Sequence, residues 1–127
     1  MTGKGVFHLL IHGEPVAKGR PRVCKDGRTY TPEKTQNAEE LIQWNFKEKY
    51  PQQDIDGVST FSISCKFWVS VYKNGKPRMF NIDNGLKLIM DALTGFIWAD
   101  DNQVVRIDAH KESVKSDPAT LVEIVSE

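Results

Sequence analysis

The sequence predicts a single α+β domain over residues 1–127, built as a small mixed β-sheet with two main helices packed on it. Several short apolar or alternating segments lie next to Gly, Pro and Asn turns, which is typical of strands. Two longer segments repeat apolar residues with a helical period. The chain of 127 residues is long enough to bury one hydrophobic core without disulfides or a structural metal.

The first half of the chain predicts a strand, a basic loop and a helix. Residues 6–12, VFHLLIH, are a short apolar run ended by a Gly and a Pro, which favours a strand. Residues 18–28, KGRPRVCKDGR, mix cations with turn formers and predict an extended loop or a hairpin that ends at TYTP. A helix over residues 32–50 is opened by Thr31 as cap and stopped by a proline. Its expected apolar side is Ala38, Leu41, Ile42 and Phe46.

The second half predicts one strand, a second helix and two further strands. Residues 60–72, TFSISCKFWVSVY, alternate apolar with mostly polar side chains, which is the pattern of a strand with one buried face. Residues 83–94 repeat apolar residues at helical spacing and end at a glycine. VVRIDAH and TLVEIVS, residues 104–110 and 120–126, predict the last strands. The order is therefore β, basic loop, α, β, α, β, β, with at least one hairpin expected.

Composition places few limits on function. The formal net charge is zero, so any attraction to nucleic acid must come from uneven placement of charge. No apolar run approaches membrane-spanning length, and Cys24 and Cys65 show no CxxC spacing. We therefore expect a cytoplasmic protein without a membrane partner, with Cys65 buried in a strand and Cys24 in a loop.

Two acidic segments carry the candidate chemistry. FNIDNGLK, residues 80–87, opens the second helix, where Asp83, Lys87 and Asp91 lie on successive turns of one stripe. ADDNQ, residues 99–103, follows that helix and adds Asp100 and Asp101. A strand laid beside the helix would return this pair to Asp83, and converging carboxylates are what a magnesium site needs. Magnesium can lower the pKa of a bound water, while the Lys87 ammonium can hold a phosphate or the leaving oxygen.

Each of these acids also has an ordinary structural interpretation. An aspartate just before a helix is commonly a cap, and DD before NQ is commonly a solvated turn. Asp91 fits an ordinary surface ion pair with Lys87, four residues earlier. Phe80 can act as a wedge against a DNA base or as a hydrophobic staple at the helix start.

The whole string favours the functional interpretation. DNxxKxxxDALTG is followed, after FIWA, by DDNQVV, and residues 81–105 strongly resemble the RusA family of Holliday junction resolvases, which are typically encoded by phages and prophages. The early GEPVAKGRPR and YTP are similar to a branch of that family. The resemblance implies a RusA-like fold and a homodimeric, magnesium-dependent endonuclease that cuts four-way DNA junctions by paired symmetric nicks, with Mn²⁺ as a substitute metal. It also implies a phage or prophage protein working in the cytoplasm of a bacterial host.

By position, the resemblance implies that Asp83 and Asp101 are metal ligands and that Lys87 is a catalytic lysine. The first acid of the family motif falls on position 81, where this chain has Asn81. An amide oxygen can coordinate a metal but brings no negative charge, so we expect weaker magnesium binding. Two interpretations stay open: an aspartate was replaced by asparagine to leave an inert form, or Asn81 is natural and Asp100 or another acid compensates.

Two loops supply the candidate DNA contacts. Cations gather in the first loop and again just before the acidic motif, and such loops beside acids suit a nuclease that grips phosphates. The predicted contacts are Lys18, Arg20, Arg22, Lys25, Lys76 and Arg78. The planar forks of Arg20 and Arg22 make them the better phosphate ligands.

The approximate two-fold symmetry of a four-way junction calls for two active sites in one assembly, so the expected partners are junction DNA and a second copy of the chain. The leading hypothesis is a junction-resolving endonuclease whose activity Asn81 impairs. The alternative is a catalytically inactive protein that binds four-way junctions.

Overall fold

The computed structural model describes residues 5–19, 22–30 and 32–127, with Arg22 described by its backbone only. The strands and helices follow the predicted order. They are β1 (Val6–His12), β2 (Arg22–Val23), β3 (Thr29–Tyr30), α1 (Glu33–Lys49), β4 (Phe61–Ser70), α2 (Ile82–Leu93), β5 (Val104–Val114) and β6 (Ala119–Ser126), with a short 3-10 helix at Asp101–Gln103 before β5.

The main sheet has the order β1-β6-β4-β5, which makes it mixed. β6 pairs antiparallel with both β1 and β4, whereas β5 pairs parallel with β4. Two parallel neighbours require a crossover, and α2 provides it between β4 and β5. The hairpin expected from the sequence is the small β2–β3 pair. The α+β prediction, a mixed sheet with two helices packed on it, is confirmed.

The core lies between the sheet and the two helices. The β4 residues at odd positions, from Phe61 to Val69, are buried, as the alternation predicted. α2 buries its apolar side against them, including Leu88 and Leu93. Trp98, just after α2, is fully buried and packs on Phe61 with ring centroids 5.5 Å apart. This packing fixes the Leu93 end of α2 relative to the sheet.

Some local expectations change in the folded chain. Ile42 and Phe46 are buried, but Leu41 is 47% exposed, so its assignment to the apolar side of α1 was wrong. The predicted cap Thr31 lies outside the described residues. Cys24 is exposed and Cys65 is buried, as expected, and burial raises the pKa of the Cys65 thiol to about 12. Among the described residues, no helix combines the length and apolarity needed to cross a membrane.

Candidate active site

The start of α2 is held by aromatic packing rather than by a polar cap. Asn81 is the N-cap residue in an extended conformation, but its side chain makes no capping hydrogen bond. Phe80, just before it, is buried with its ring centroid 4.8 Å from that of Phe67, and it also packs against Gly85. Phe80 thus anchors the start of α2 from the position before the cap, as a hydrophobic staple would, and its burial leaves little of the ring exposed to a DNA base.

Three polar side chains of the motif remain in solvent at this end of α2. Asn81, Asp83 and Lys87 are all exposed. Across the part of the chain that the structure describes, none of these three side chains makes a hydrogen bond or an ion pair. Asp83 sits in the first turn of α2, where the helix dipole favours a negative charge. The start of α2 therefore presents a carboxylate, an amide and an ammonium that are available to a ligand.

Asp91, farther along α2, has a structural partner. The Lys18 ammonium lies 3.1 Å from the Asp91 carboxylate and 3.3 Å from that of Glu39 on α1. The Lys18 backbone N–H also donates to the Asn84 carbonyl oxygen at 2.9 Å. The predicted surface pair between Asp91 and Lys87 was therefore wrong, because the loop after β1 inserts Lys18 between the two helices.

The two carboxylates change the character of Lys18. Burial alone would lower its pKa, but the hydrogen bonds to Asp91 and Glu39 outweigh burial and raise the pKa above its ordinary value of 10.5. The side chain is only 21% exposed. Lys18 is consequently less available to a DNA phosphate than the sequence suggested, and its contacts attach the basic loop to the helices.

The second acidic segment divides its two aspartates between different roles. The Asp100 carboxylate accepts a hydrogen bond from the Asn102 N–H at 2.8 Å and forms a capping box with Gln103. Asp101, in the first turn of the 3-10 helix, is exposed and has no side-chain partner within the described ranges. Asp100 thus shapes the turn, and Asp101 remains available to a ligand.

Gln103 attaches this acidic turn to the body of the domain. Its Oε1 accepts hydrogen bonds from the N–H groups of Ala99 at 2.9 Å and Asp100 at 3.1 Å. Its Nε2 donates to the carbonyl oxygens of Asp56 at 2.8 Å and Ser59 at 2.9 Å. Gln103 had no predicted role, and only its place in the DDNQVV string pointed to it.

The available acids lie at opposite ends of α2. Asp83 and Leu93, at the two ends of the helix, are separated by about 15 Å of helical rise. Asp101 lies beyond the Leu93 end, since Trp98 bridges back to Thr94 and Val104 pairs with Phe61, the first residue of β4. The Asp83 end of α2 lies near the later part of β5, because the Lys111 ammonium on β5 donates to the Phe80 carbonyl oxygen at 2.7 Å.

The expected convergence of Asp83, Asp100 and Asp101 within one chain was therefore wrong. The strand after α2 does lie beside it, but β5 runs parallel to β4 and begins at the end where α2 stops. Within residues 5–19, 22–30 and 32–127, no group of three or more His, Cys, Asp or Glu side chains is arranged to hold a metal ion.

The predicted DNA contacts occupy different surroundings. Lys25 and Lys76 are exposed, and their ammonium groups have no partner in the described part of the chain. The Arg78 Nε donates to Ser70 Oγ at 3.0 Å, and its guanidinium lies over the Tyr72 ring at 4.5 Å. Arg20 lies outside the described residues, and for Arg22 the side chain does.

The fold and these exposed groups define a class. A small α+β domain that presents exposed carboxylates and a lysine, unpaired among the described residues, together with cationic loops has the residue types of a phosphodiester-cleaving nuclease. The profile of the family described as endodeoxyribonuclease RusA matches residues 12–125, nearly the whole chain, and the chain belongs to that family. A comparison with curated protein sequences found no match.

Family membership brings general properties with it. RusA endodeoxyribonucleases resolve Holliday junctions, act on junction DNA and are generally dependent on a divalent metal. The predicted family is thereby confirmed, and membership in it supports a nuclease enzyme.

Proposed function

We propose that this protein is a magnesium-dependent endodeoxyribonuclease that resolves four-way DNA junctions as a homodimer. Each active site would take Asp83 and Asn81 as metal ligands and Lys87 as a phosphate-binding lysine from one copy, and Asp101 as a metal ligand from the other. The observation that carries this proposal is the separation of two exposed aspartates of the family motif, which have no side-chain partner among the described residues, to opposite ends of α2.

A two-fold dimer removes the geometric difficulty of the single chain. A two-fold axis that sets α2 of the two copies antiparallel brings the Asp83 end of each helix to the Asp101 end of its partner. The same symmetry produces two equivalent sites, which suits two opposed strands of a junction. Dimer formation would therefore explain how a chain of a nuclease family can separate its two aspartates and still form an active site.

The donor groups fit a hard divalent cation. Carboxylate and amide oxygens are the ligands that Mg²⁺ and Mn²⁺ accept, and when bound the ion supplies Lewis-acid stabilisation and a more acidic water. The chain itself contributes orientation and charge. α2 holds Lys87 one turn beyond Asp83, where its ammonium can bind a phosphate oxygen or the leaving oxygen. The capping box and Gln103 hold Asp101 on a rigid turn.

Asn81 favours a second candidate, a junction-binding protein without cleavage activity. Its side chain is exposed and does not cap α2, so its amide oxygen can reach a metal at the same helix end. The amide is neutral, and the site would hold Mg²⁺ less tightly than one with aspartate there. Titrating Mg²⁺ or Mn²⁺ against a labelled four-way junction separates the candidates: nicks support the nuclease, and a shifted but intact junction supports the binder.

Subunit complementation tests the shared site directly. Asp83→Asn and Asp101→Asn should each be inactive alone, whereas their mixture forms heterodimers in which one of the two sites has both aspartates. Full exchange should restore about a quarter of the wild-type sites, because half the dimers are mixed and each has one intact site. If the mixture stays as inactive as its components while the parent protein cleaves, the two aspartates do not act across copies.

That experiment is best done both with Asn81 present and in an Asn81→Asp background, so that weak activity is not mistaken for failed complementation. Mixing two preparations of Asp83→Asn provides the matched control, since no combination of those chains has an intact site.

The cationic loops are proposed to bind the DNA backbone. Lys25 and Lys76 present exposed ammonium groups that no described residue pairs with, and Arg20 and Arg22 stay in the proposal on sequence grounds. Neutralising Arg20 and Arg22 together should weaken junction binding for all sequences and flatten its salt dependence. Unchanged affinity together with an unchanged salt slope would remove that loop from the DNA interface.

A further inference from the structure

The main sheet has two edge strands, β1 and the long strand β5. β5 is the last strand in the order β1-β6-β4-β5 and runs for 11 residues. The Val71 N–H donates to the Val114 carbonyl oxygen at 2.9 Å, so the even-numbered residues of β5 direct their backbone groups toward the β4 side. Because successive residues alternate between edges, the odd-numbered residues direct their N–H and C=O groups outward. Such an edge is a template for another strand.

The charges of β5 are complementary to the same strand in reverse. Its sequence, VVRIDAHKESV, is centred on Ala109. Antiparallel pairing of two copies about Ala109 sets Arg106 opposite Glu112 and Asp108 opposite His110, twice each by symmetry. These are non-hydrogen-bonded pairs, in which the side chains of opposite residues are closest. Val104 then lies opposite Val114, so the full length of the strand is used.

Neighbouring registers lack this match. A dyad at residue 108 sets the Asp108 carboxylates against each other, and a dyad at residue 110 sets Asp108 opposite Glu112. Like charges directly opposite are destabilising in antiparallel pairs. Glu112 already receives the Lys66 ammonium at 3.3 Å within its own sheet, but it remains 53% exposed and can accept a second cation.

We propose that the dimer forms by antiparallel pairing of β5 with β5 of a second copy about Ala109, which makes one continuous eight-stranded sheet. The axis of such a pair is perpendicular to the sheet, so α2 of both copies lies on the same face and runs antiparallel. The Asp101 turn that precedes β5 then lies at the Asp83 end of the partner. This interface deepens the proposed function, on which it rests, by naming the surface that would complete each site.

The proposed interface also covers apolar surface that one copy leaves open. Val105 is 58% exposed and Ile107 is 50% exposed. In the Ala109 register Val105 lies opposite Ser113 and Ile107 lies opposite Lys111, whose methylene stem can pack on it. The pairing therefore combines backbone hydrogen bonds, opposite charges and some apolar burial.

Disulfide trapping reads the register without any nuclease assay. In a Cys24→Ser background, Ala109→Cys places two thiols opposite each other with Cα atoms about 5.5 Å apart, within disulfide range. Ser113→Cys is the matched control on the same edge, since its two copies would be about 26 Å apart. Mild oxidation should link the first variant into dimers at least ten times faster than the second. Equal rates, or no linkage at position 109, would overturn the proposal.

Charge exchange gives an independent test in solution. Arg106→Glu and Glu112→Arg should each raise the dimer dissociation constant about tenfold, measured by analytical ultracentrifugation, because each creates two like-charge pairs. The double exchange should restore it, and failure to restore it would overturn the register. Glu123→Arg, on the same sheet face but on β6, should leave association unchanged. A dimer that forms through another surface would fail the disulfide and charge-exchange tests but could still pass the complementation test. The β5 interface and the site shared between copies can therefore be refuted separately.

Discussion

Gln103 offers the most direct test of how the fold holds the acidic turn. Replacing it by alanine removes four hydrogen bonds, two to the N–H groups of Ala99 and Asp100 and two to the carbonyl oxygens of Asp56 and Ser59. The turn that carries Asp101 would lose its attachment to the segment before β4. The expected effects are on stability and on the position of the Asp101 carboxylate.

The size of the stability loss follows from the contacts. A net contribution of about 1 kcal/mol for each bond, reduced because water can reach the exposed turn, predicts a loss of about 2–3 kcal/mol. For a domain of this length the melting temperature should fall by about 10 °C. Residues that orient a metal ligand typically change activity or metal affinity by about 10–100-fold, so cleavage should fall by that amount beyond any loss of folded protein.

Calorimetry and junction cleavage, both at a temperature where the variant is folded, measure these effects. Asn102→Ala is the matched control: it lies in the same short helix, is exposed, and should stay within about 0.5 kcal/mol of the parent. In Gln103→Glu one carboxylate oxygen keeps the acceptor role, but the other replaces the amide donor and faces the carbonyl oxygens of Asp56 and Ser59. This variant should therefore be least stable at neutral pH. Its stability should recover as the pH falls and the carboxyl is protonated. A Gln103→Ala protein that melts and cleaves like the parent would refute this role.

Three further changes test separate features. Asn81→Asp should raise metal-dependent cleavage by restoring a charged ligand; equal metal titration curves would deny position 81 a ligand role. Gly85→Ala should cost about 1–3 kcal/mol in chemical denaturation, since its Cβ would overlap the Phe80 ring, whereas Gly57→Ala, with only ordinary contact, should not. Lys18→Met should be less stable than the parent below pH 10.5. This difference in the free energy of unfolding should shrink as the pH rises through the elevated pKa of Lys18, and a difference that does not change at alkaline pH would contradict the ion pairs as its cause.

The sequence predicted the parts of the molecule that depend on local pattern. The alternation in β4 showed which side chains are buried, and the helical spacing in α2 located the helix that presents Asp83 and Lys87. The family was also recognisable from residue types and spacing alone, and its profile covers residues 12–125. These features depend on the periods of strand and helix and on the order of residues along the chain, and both can be read from the sequence alone.

Only the tertiary structure decided which ends and which side chains meet. The parallel pairing of β5 with β4 sends Asp101 to the far end of α2 from Asp83, although the two lie close in sequence. The ion pair of Lys18 with Asp91 joins residues far apart in the chain. Local periodicity assigns a residue to a face of its own element, but strand order and direction arise from non-local pairing. In this chain that pairing, more than the identity of the acids, is what makes a second copy necessary for the proposed site.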